Sequence, residues 1–322
     1  MERPFCEANL DGRIVRVPAV AVGRRTVIIR GKWLKTASVK SERWVEGEPV
    51  DDPELFISKL KESGWKPDIF TFSQRLPDVA PKHPYPMEWD NVAAIPLAGG
   101  FADWWENRLP QEARKNARRA VKRGVVTKVV ALNDDLLRGI VEINNETPIR
   151  QGRPFYHYGK DFDRVKQDYS TMLDRSEFIG AYFQDELIGF IQLVGLGPTA
   201  GILAFLVKNK HSDKRPANAL IVKAVELCAS KGVSHLEFGK FIYGKNTGSP
   251  MTEFKRRIGF EQVPVPRYFV PLTWKGRMWV KSGLPKGIKQ LIPARVFFFL
   301  SSFRARLYKK QNLGRTAAKS EV

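Results

Sequence analysis

The run from Gly201 to Val207 is the segment that most constrains how this chain folds. It is almost entirely apolar, which is typical of a strand buried on both faces of a sheet. A helical pattern, Ala217 to Lys231, follows with an apolar stripe on one side, and Gly232 provides its stop. The strand His235 to Gly239 comes next. This order indicates an α/β protein.

The same periodicities predict the elements around this core. Before it we expect the helices Gln111–Gly124, Asp134–Glu146 and Asp163–Leu173, the strands Val125–Val130, Phe178–Phe183 and Leu187–Leu193, and a loop Pro148–Lys160. After it we expect a helix Pro250–Ile258 and a strand Arg267–Val270. Nearer the start we expect the strands Arg13–Val17, Thr26–Arg30 and Asp68–Phe72, and a helix from Pro53 to Gly64 capped by Asp52.

The segment Pro77 to Pro86 is interpreted as a loop or a junction between two lobes. We therefore expect an N-terminal lobe over residues 1–110, a second lobe over residues 111–272 and a tail over residues 273–322. With 322 residues, 43% of them hydrophobic, the chain is long enough to bury a core in each lobe.

The two cysteines, Cys6 and Cys228, are far apart in the sequence. They exclude a disulfide framework and a Cys-based metal site, and we expect no metal. The first twenty residues lack the pattern of a secretory signal, and no window reaches the length of a membrane span. We therefore expect a cytoplasmic protein.

Positive charge dominates the chain, with 54 Lys and Arg against 34 Asp and Glu and a formal net charge of +20. Twelve of these cations lie between Thr273 and Ser320, where there is no acid. Apolar residues recur at helical spacing around Ile288 to Tyr308, which predicts an amphipathic helix at an anionic membrane surface. Two alternatives stay open: a tail that binds RNA, and a helix packed on its own lobe.

Three motifs carry a family resemblance. The segment Leu236–Lys240, followed by Phe254–Phe260, resembles the end of FemAB-like acyltransferases, and Arg114–Ala120 resembles the first helix of their catalytic lobe. The resemblance covers roughly residues 90–272. It implies the GNAT acyltransferase fold in a tandem arrangement, with a degenerate N-terminal lobe and a catalytic second lobe. A solvated basic face is the alternative interpretation of the helix that begins at Gln111.

The resemblance also implies an activity, the transfer of an acyl group from a thioester or ester to an amine. The donor would lie beside Gly201–Val207, along Phe205 and Val207, and its phosphates would bind at the start of the next helix. The residues at that start are Lys214, Arg215, Ala217 and Asn218. Acyl-CoA is the expected donor.

The phosphate loop departs from that of simple acetyltransferases, because Lys214–Ala219 has no glycine and contains Pro216, which has no N–H. Aminoacyl-tRNA, the donor of some FemAB-like proteins, is therefore an alternative.

The expected catalytic residues follow from the same motifs. By resemblance Lys255 would stabilise the tetrahedral intermediate, and its alternative is a surface lysine on a short helix. Glu237 alternates with apolar Leu236 and Phe238, so it faces the other side of its strand and is the candidate general base. Tyr243 is the second candidate for moving the proton.

The loop between Pro148 and Lys160 interleaves basic and aromatic residues, which suits an acceptor with anionic and sugar-like parts. The candidate acceptor-binding residues are Arg150, Gln151, Arg153, Tyr156, His157 and Tyr158. A packed structural loop explains these aromatic residues equally well.

The sequence thus predicts an N-acyltransferase whose acceptor is an amine on a small or lipid-linked, saccharide- or peptidoglycan-like molecule. A different class of function remains open, a membrane-binding or nucleic-acid-binding module built on an inactive GNAT lobe.

Overall fold

The structure, a computed structural model, describes residues 4–10, 13–42, 49–150, 152–242 and 248–283. The predicted amphipathic helix around Ile288–Tyr308 lies outside the described residues, and so do the candidate site residues Gln151 and Tyr243.

The N-terminal third contributes five strands and one helix that covers them. Its elements are β1 (Phe5–Leu10), β2 (Arg13–Val22), β3 (Arg25–Arg30), β4 (Thr36–Val39), α1 (Pro53–Glu62) and β5 (Ile69–Ser73). The α1 helix begins as predicted, because the Asp52 side chain accepts a hydrogen bond from the Leu55 N–H and Pro53 occupies the first turn. Its buried face, which includes Phe56 and Leu60, packs on these strands.

The remaining elements form the second part of the fold. In chain order they are β6 (Met87–Pro96), α2 (Gly100–Asp103), a π-helical turn (Trp104–Arg108), α3 (Gln111–Lys122), β7 (Val126–Val130), α4 (Asp134–Asn145), β8 (Ile149–Arg150), β9 (Arg153–Pro154), α5 (Phe162–Tyr169), β10 (Ser176–Phe183), β11 (Glu186–Leu196), β12 (Thr199–Val207), α6 (Pro216–Ser230), β13 (His235–Glu237), α7 (Pro250–Arg257), β14 (Glu261–Pro271) and α8 (Trp274–Lys281).

One mixed sheet runs through both parts. Among the described residues it has twelve strands in the order β1-β2-β3-β4-β5-β14-β6-β13-β12-β11-β10-β7. The pairs β4–β5 and β12–β13 are parallel, and the other neighbours are antiparallel. The strand β14 joins the two parts, because it pairs with β5 on one side and with β6 on the other.

Helices cover both faces of the second part. Residues of α3, α6 and α7 share one apolar cluster with Ile191, Ile202 and Leu236 of the sheet. On the opposite face, α4 and α5 pack on Phe178 and Phe190. The buried strand predicted from Gly201–Val207 is therefore confirmed as an inner strand, β12, with helices on both sides.

Some boundaries differ from the prediction. The strand β14 begins at Glu261 rather than Arg267, and β13 ends at Glu237 because the chain turns at Gly239, where φ is +59°. The strand β6 was not predicted at all. Among the described residues, no helix is both long and apolar enough to cross a bilayer.

The last described helix, α8, sits very close to the sheet. A Cβ added at Gly276 would lie 2.0 Å from the carbonyl oxygen of Asp68. We expect Gly276→Ala to lower the free energy of unfolding by about 1–3 kcal/mol, the usual cost of overpacking. Urea unfolding measures it, with Gly195→Ala as the control because its nearest non-neighbour atom is 3.7 Å away. Equal stability of both variants would contradict the close docking of α8.

Candidate active site

The two parallel strands of the core separate after three paired residues. The last pair is Gly201 with Glu237. Beyond it β12 continues to Val207 without β13, still paired with β11 on its other side. On its other side β12 has a register shift, in which Ile202 faces Leu193 and Ala204 faces Gln192. The intervening Leu203 therefore forms a β-bulge where the strands diverge. The two strands diverge from here, and we call the region beside the end of β12 the cleft.

Aromatic rings line the cleft. The Phe205 ring lies parallel to that of Phe254, with 5.6 Å between their centroids, and edge-on to Phe238 at 5.9 Å. All three side chains are half-buried. The cleft thus offers an apolar wall to a ligand.

Lys255 is buried at the base of this wall. Helix α7 begins at its cap Ser249, and the Thr252 hydroxyl donates to the Phe241 carbonyl. This hydrogen bond holds the buried side of the helix, which carries Thr252 and Lys255, toward the protein interior. The Lys255 Nζ donates to the carbonyl oxygens of Phe238 and Lys240, the latter at 2.7 Å, and lies 4.5 Å from the centre of the Phe238 ring.

Burial lowers the pKa of Lys255 to about 8, since an ammonium loses its hydration inside the protein. The side chain remains mostly protonated at neutral pH. It therefore supplies a positive charge in a site of low polarity, where such a charge acts strongly. The surface-lysine alternative for Lys255 is wrong.

Glu237 approaches the same strand end from the other face. Its carboxylate is hydrogen-bonded to the Thr199 side chain, lies within electrostatic range of Arg75, and has no hydrogen-bond partner for Oε1. Burial raises its pKa, although Arg75 and Thr199 oppose the effect. A buried carboxylate with a raised pKa is suited to take up a proton near neutral pH.

A cavity of about 570 Å³ lies next to Glu237. Thr199 and Arg75, the two neighbours of the Glu237 carboxylate, both line it. It lies between the segment after β5 and the turn that joins β11 to β12. Its lining combines apolar residues with three cations, Arg75, Lys82 and Arg175, and two acids, Asp51 and Asp78, and includes His83. Lys82 is ion-paired with Asp78. Burial lowers the pKa of His83, so this imidazole is neutral at pH 7.

A line of ion pairs runs from Glu42 to Lys240, next to Lys255. The Arg267 guanidinium donates to Glu42 and to Asp90 at 3.0 Å, and the Lys240 ammonium donates to the other Asp90 oxygen at 2.7 Å. Because the Lys240 carbonyl in turn accepts from Lys255, Asp90 helps to hold the turn that positions the buried ammonium.

The candidate phosphate site at the start of α6 is only in part as expected. Arg215 adopts a left-handed conformation, and its carbonyl already accepts hydrogen bonds from the Asn218 and Ala219 amides. The Lys214 ammonium lies 4.5 Å from the centre of the Phe183 ring and is ion-paired with Asp213. Pro216 adds no N–H. Of the amides usually available at a helix start, that of Ala217 remains in position for an anion.

The candidate acceptor loop uses two of its residues internally. The Arg150 guanidinium donates to the carbonyls of Ile143 and Val207 and to Glu146, so it braces the end of β12. Burial and the nearby Lys160 lower the pKa of His157 to about 4, and the ring is neutral at pH 7. Two others, Tyr156 and Tyr158, are exposed. The Arg153 side chain lies outside the described residues.

Comparison with solved structures identifies the fold. FemX covers 86% of this chain and 89% of its own at 11% identity, with a TM-score of 0.56. L-PGS from Bacillus licheniformis gives 0.52 at 12% identity, covering 83% of this chain and 88% of its own. The C-terminal domain of a putative lysylphosphatidylglycerol synthetase from Agrobacterium fabrum gives 0.51 at 13%, covering 83% and 87%.

The chain has the GNAT fold. No family profile and no curated protein matches it in sequence. The likeness to FemX extends over both parts of the twelve-stranded sheet, so the GNAT fold covers more of the chain than residues 90–272, where the sequence motifs lie.

Within this GNAT fold, the convergence of Lys214, Lys255 and Glu237 on one site stays a prediction. Glu237 and Lys255 lie on opposite faces of the end of β13, whereas Lys214 follows the far end of β12. The separation arises because β12 continues six residues beyond Gly201, the partner of Glu237. At about 3.3 Å per residue, these six residues extend roughly 20 Å from Gly201 to Val207.

Three residues of the site were not predicted: Arg75, Asp90 and Thr199. Asp90 lies on β6, which the sequence analysis missed, and Arg75 lies in the segment that follows β5. Their role depends on long-range pairing of β14 with β5 and β6. No local sequence signal distinguishes them from surface residues.

Proposed function

We propose that this protein transfers an acyl group to an amine. The reaction would take place at the splay, the point after Gly201 and Glu237 where β12 and β13 diverge. The observation that carries this proposal is the pair of buried, oppositely shifted groups on the two faces of one strand end. Glu237 has a raised pKa and Lys255 a lowered one, each through burial. Such a pair provides a proton acceptor and a positive charge within one low-polarity site.

The acyl donor would lie along the cleft of Phe205, Phe238 and Phe254. The amine nitrogen attacks the carbonyl carbon, its proton passes to Glu237, and the bond from the carbonyl carbon to the donor's sulfur or oxygen breaks. The leaving group takes a proton from solvent. Lys255 favours this course because its charge stabilises the oxygen that becomes negative in the tetrahedral intermediate.

The acceptor would enter from the cavity on the Glu237 face. Arg75 and Arg175 in its lining suit a molecule that carries phosphate or carboxylate groups besides its amine. A saccharide-linked, lipid-linked or peptidoglycan-like amine meets this description. The exposed tyrosines Tyr156 and Tyr158 remain candidates for further contacts to it.

Acyl-CoA is the first candidate donor, as the sequence suggested. One observation favours aminoacyl-tRNA as a second candidate. Helix α3 packs against α6, and Arg123 donates to the Asp213 carbonyl beside Lys214. The exposed cations of α3 therefore continue into the start of α6: Lys115, Arg119, Lys122 and Arg123. An extended cationic strip matches a nucleic-acid backbone better than a compact pyrophosphate.

Labelled donors distinguish the two candidates. Transfer from acyl-CoA is expected to survive the exchange Arg119→Glu with Lys122→Glu, whereas transfer from aminoacyl-tRNA is expected to fall at least tenfold and to weaken steeply with salt. The control is Lys166→Glu on α5, on the other face of the sheet. No transfer from either donor to any amine-bearing glycan, lipid or peptide would contradict the proposed function. A cytoplasmic location is part of the same proposal.

A further inference from the structure

The outward face of α8 has an unusual composition. Trp274 and Met278, one helical turn apart, are 61% and 63% exposed, and the cations Arg277 and Lys281 accompany them. The inward face holds the buried Gly276 and the Trp279 ring, which lies 6.1 Å from Phe269. A surface helix normally turns its apolar side inward. On α8, large apolar side chains point away from the protein as well.

The loop between β3 and β4 extends this face. Trp33 at its tip is 76% exposed, and the Lys275 ammonium lies 6.0 Å from the centre of its ring, so the loop and the helix form one surface. Lys32 is exposed beside it. The segments 31–35 and 274–281 contain no acidic residue. We call this the Trp33–Trp274 surface: Lys32, Trp33, Trp274, Lys275, Arg277, Met278 and Lys281.

The buried Asp68 carboxylate holds the two segments together. One of its oxygens accepts from the Lys35 N–H at 2.8 Å, just after the loop, and the other accepts from the Thr273 hydroxyl at 2.6 Å, at the cap of α8. The Asp68 carbonyl also contacts Gly276 closely. The surface is therefore a fixed platform rather than two independent segments.

Tryptophan and cations at this spacing match the boundary of a lipid bilayer. Indole rings favour the level of the headgroups, where one edge is apolar and the other hydrated. Lys and Arg beside them are attracted to anionic headgroups. A protein partner of ordinary composition would leave this acid-free cluster of cations unpaired, whereas an anionic lipid surface neutralises it.

We propose that the Trp33–Trp274 surface docks on an anionic lipid surface. Trp33, Trp274 and Met278 enter the interface, and the four cations contact lipid phosphates. This surface is distinct from the splay and its cavity, and the proposal stands whether or not the chain is an acyltransferase.

The test is co-sedimentation of the full chain with phosphatidylcholine vesicles with and without phosphatidylglycerol. The unaltered chain is expected to bind the anionic vesicles, and Trp33→Ser with Trp274→Ser to weaken this binding roughly tenfold or more. Arg277→Glu with Lys281→Glu is expected to do the same and to reduce the salt dependence. Trp89→Ser, at an exposed residue of β6, is the control and is expected to bind normally.

Three outcomes would overturn the proposal. The first is no binding of the unaltered chain to anionic vesicles. The second is binding that both double variants leave unchanged, which would assign it to another part of the chain, such as the basic residues 284–322. The third is a self-associated species in sedimentation velocity that the Trp33 and Trp274 changes abolish while vesicle binding persists, which would make this face a contact between two copies.

Discussion

Replacing Lys255 with methionine is expected to lower the rate of acyl transfer by roughly 100-fold to 1,000-fold, the usual effect of removing one group that stabilises an oxyanion. Methionine has a similar shape but no charge. The negative oxygen of the intermediate would then form beside Phe238 without a counter-charge, in a site where water cannot replace it. Donor binding is expected to change little, because the aromatic wall remains.

Stability must be measured beside activity in this variant. The carbonyls of Phe238 and Lys240 lose their ammonium donor, and each buried group without a partner costs about 1–3 kcal/mol. Single-turnover rates should therefore be taken well below the melting temperature of the variant. The control is Arg256→Met, the next residue on α7, which is exposed, pairs with Glu253 at the surface and lies 5.9 Å from the centre of the Phe241 ring.

A folded Lys255→Met protein with unchanged transfer rate would remove Lys255 from the mechanism. If no transfer is measurable in the unaltered chain, and the variant retains every cellular function, the alternative of a binding module on an inactive GNAT lobe is favoured instead.

Sequence patterns predicted the elements whose signals are local. The α1 helix carries its own cap and stop in Asp52 and Gly64. The run Gly201–Val207 contains no polar residue, which indicates an inner strand. The hairpin β10–β11 turns at Gln184 and Asp185, both with positive φ, between the two strands that the sequence predicted. Each of these depends on neighbours within a few residues.

The joining strand β6 was not predicted, and only the second half of β14 was, for a physical reason. Pro264 and Pro266 interrupt the pattern of β14, yet the strand persists because β6 pairs with it opposite both prolines, at Asn91 and Trp89. The partners of β14 on β6 and β5 are roughly 165 to 200 residues away in the sequence. The continuity of the sheet is therefore a tertiary property that local periodicity does not encode.

The face of the strand that Glu237 occupies was predicted, but the partners of its side chain were not. Strand alternation put Glu237 on the face opposite Leu236 and Phe238, and its bond with Thr199 lies there. Full burial of Lys255 was not predictable, because α7 reads as a short, highly charged helix. The positive charge of Arg75 opposes the rise in the pKa of Glu237. Arg75 lies near Glu237 because of the fold of the N-terminal part, which the sequence does not reveal locally.

The second large effect is expected for Glu237→Gln, which keeps the shape and hydrogen-bonding capacity of the side chain but removes its ability to take a proton. Transfer should fall by roughly 100-fold to 10,000-fold, the usual contribution of a general base. In the unaltered chain, kcat/KM should rise with pH through the raised pKa of Glu237, above the 4.5 of an ordinary glutamate. The variant should lack this dependence.

Stability gives an independent readout of the same ionisation. Because the native pKa of Glu237 is raised, the unfolded chain ionises first as the pH increases, and the free energy of unfolding should decline from pH 4.5 up to the native pKa. Glutamine imitates the protonated form, so the variant should show less of this decline and be the more stable protein at neutral pH. The control is Glu177→Gln, whose carboxylate is paired with Lys231 and half-exposed, and it should match the unaltered chain in both measurements. A Glu237→Gln protein that keeps both the rate and the pH profile would show that the buried carboxylate takes no proton from the amine, whereas a stability profile that changes with the rate unaffected would leave it a purely structural group.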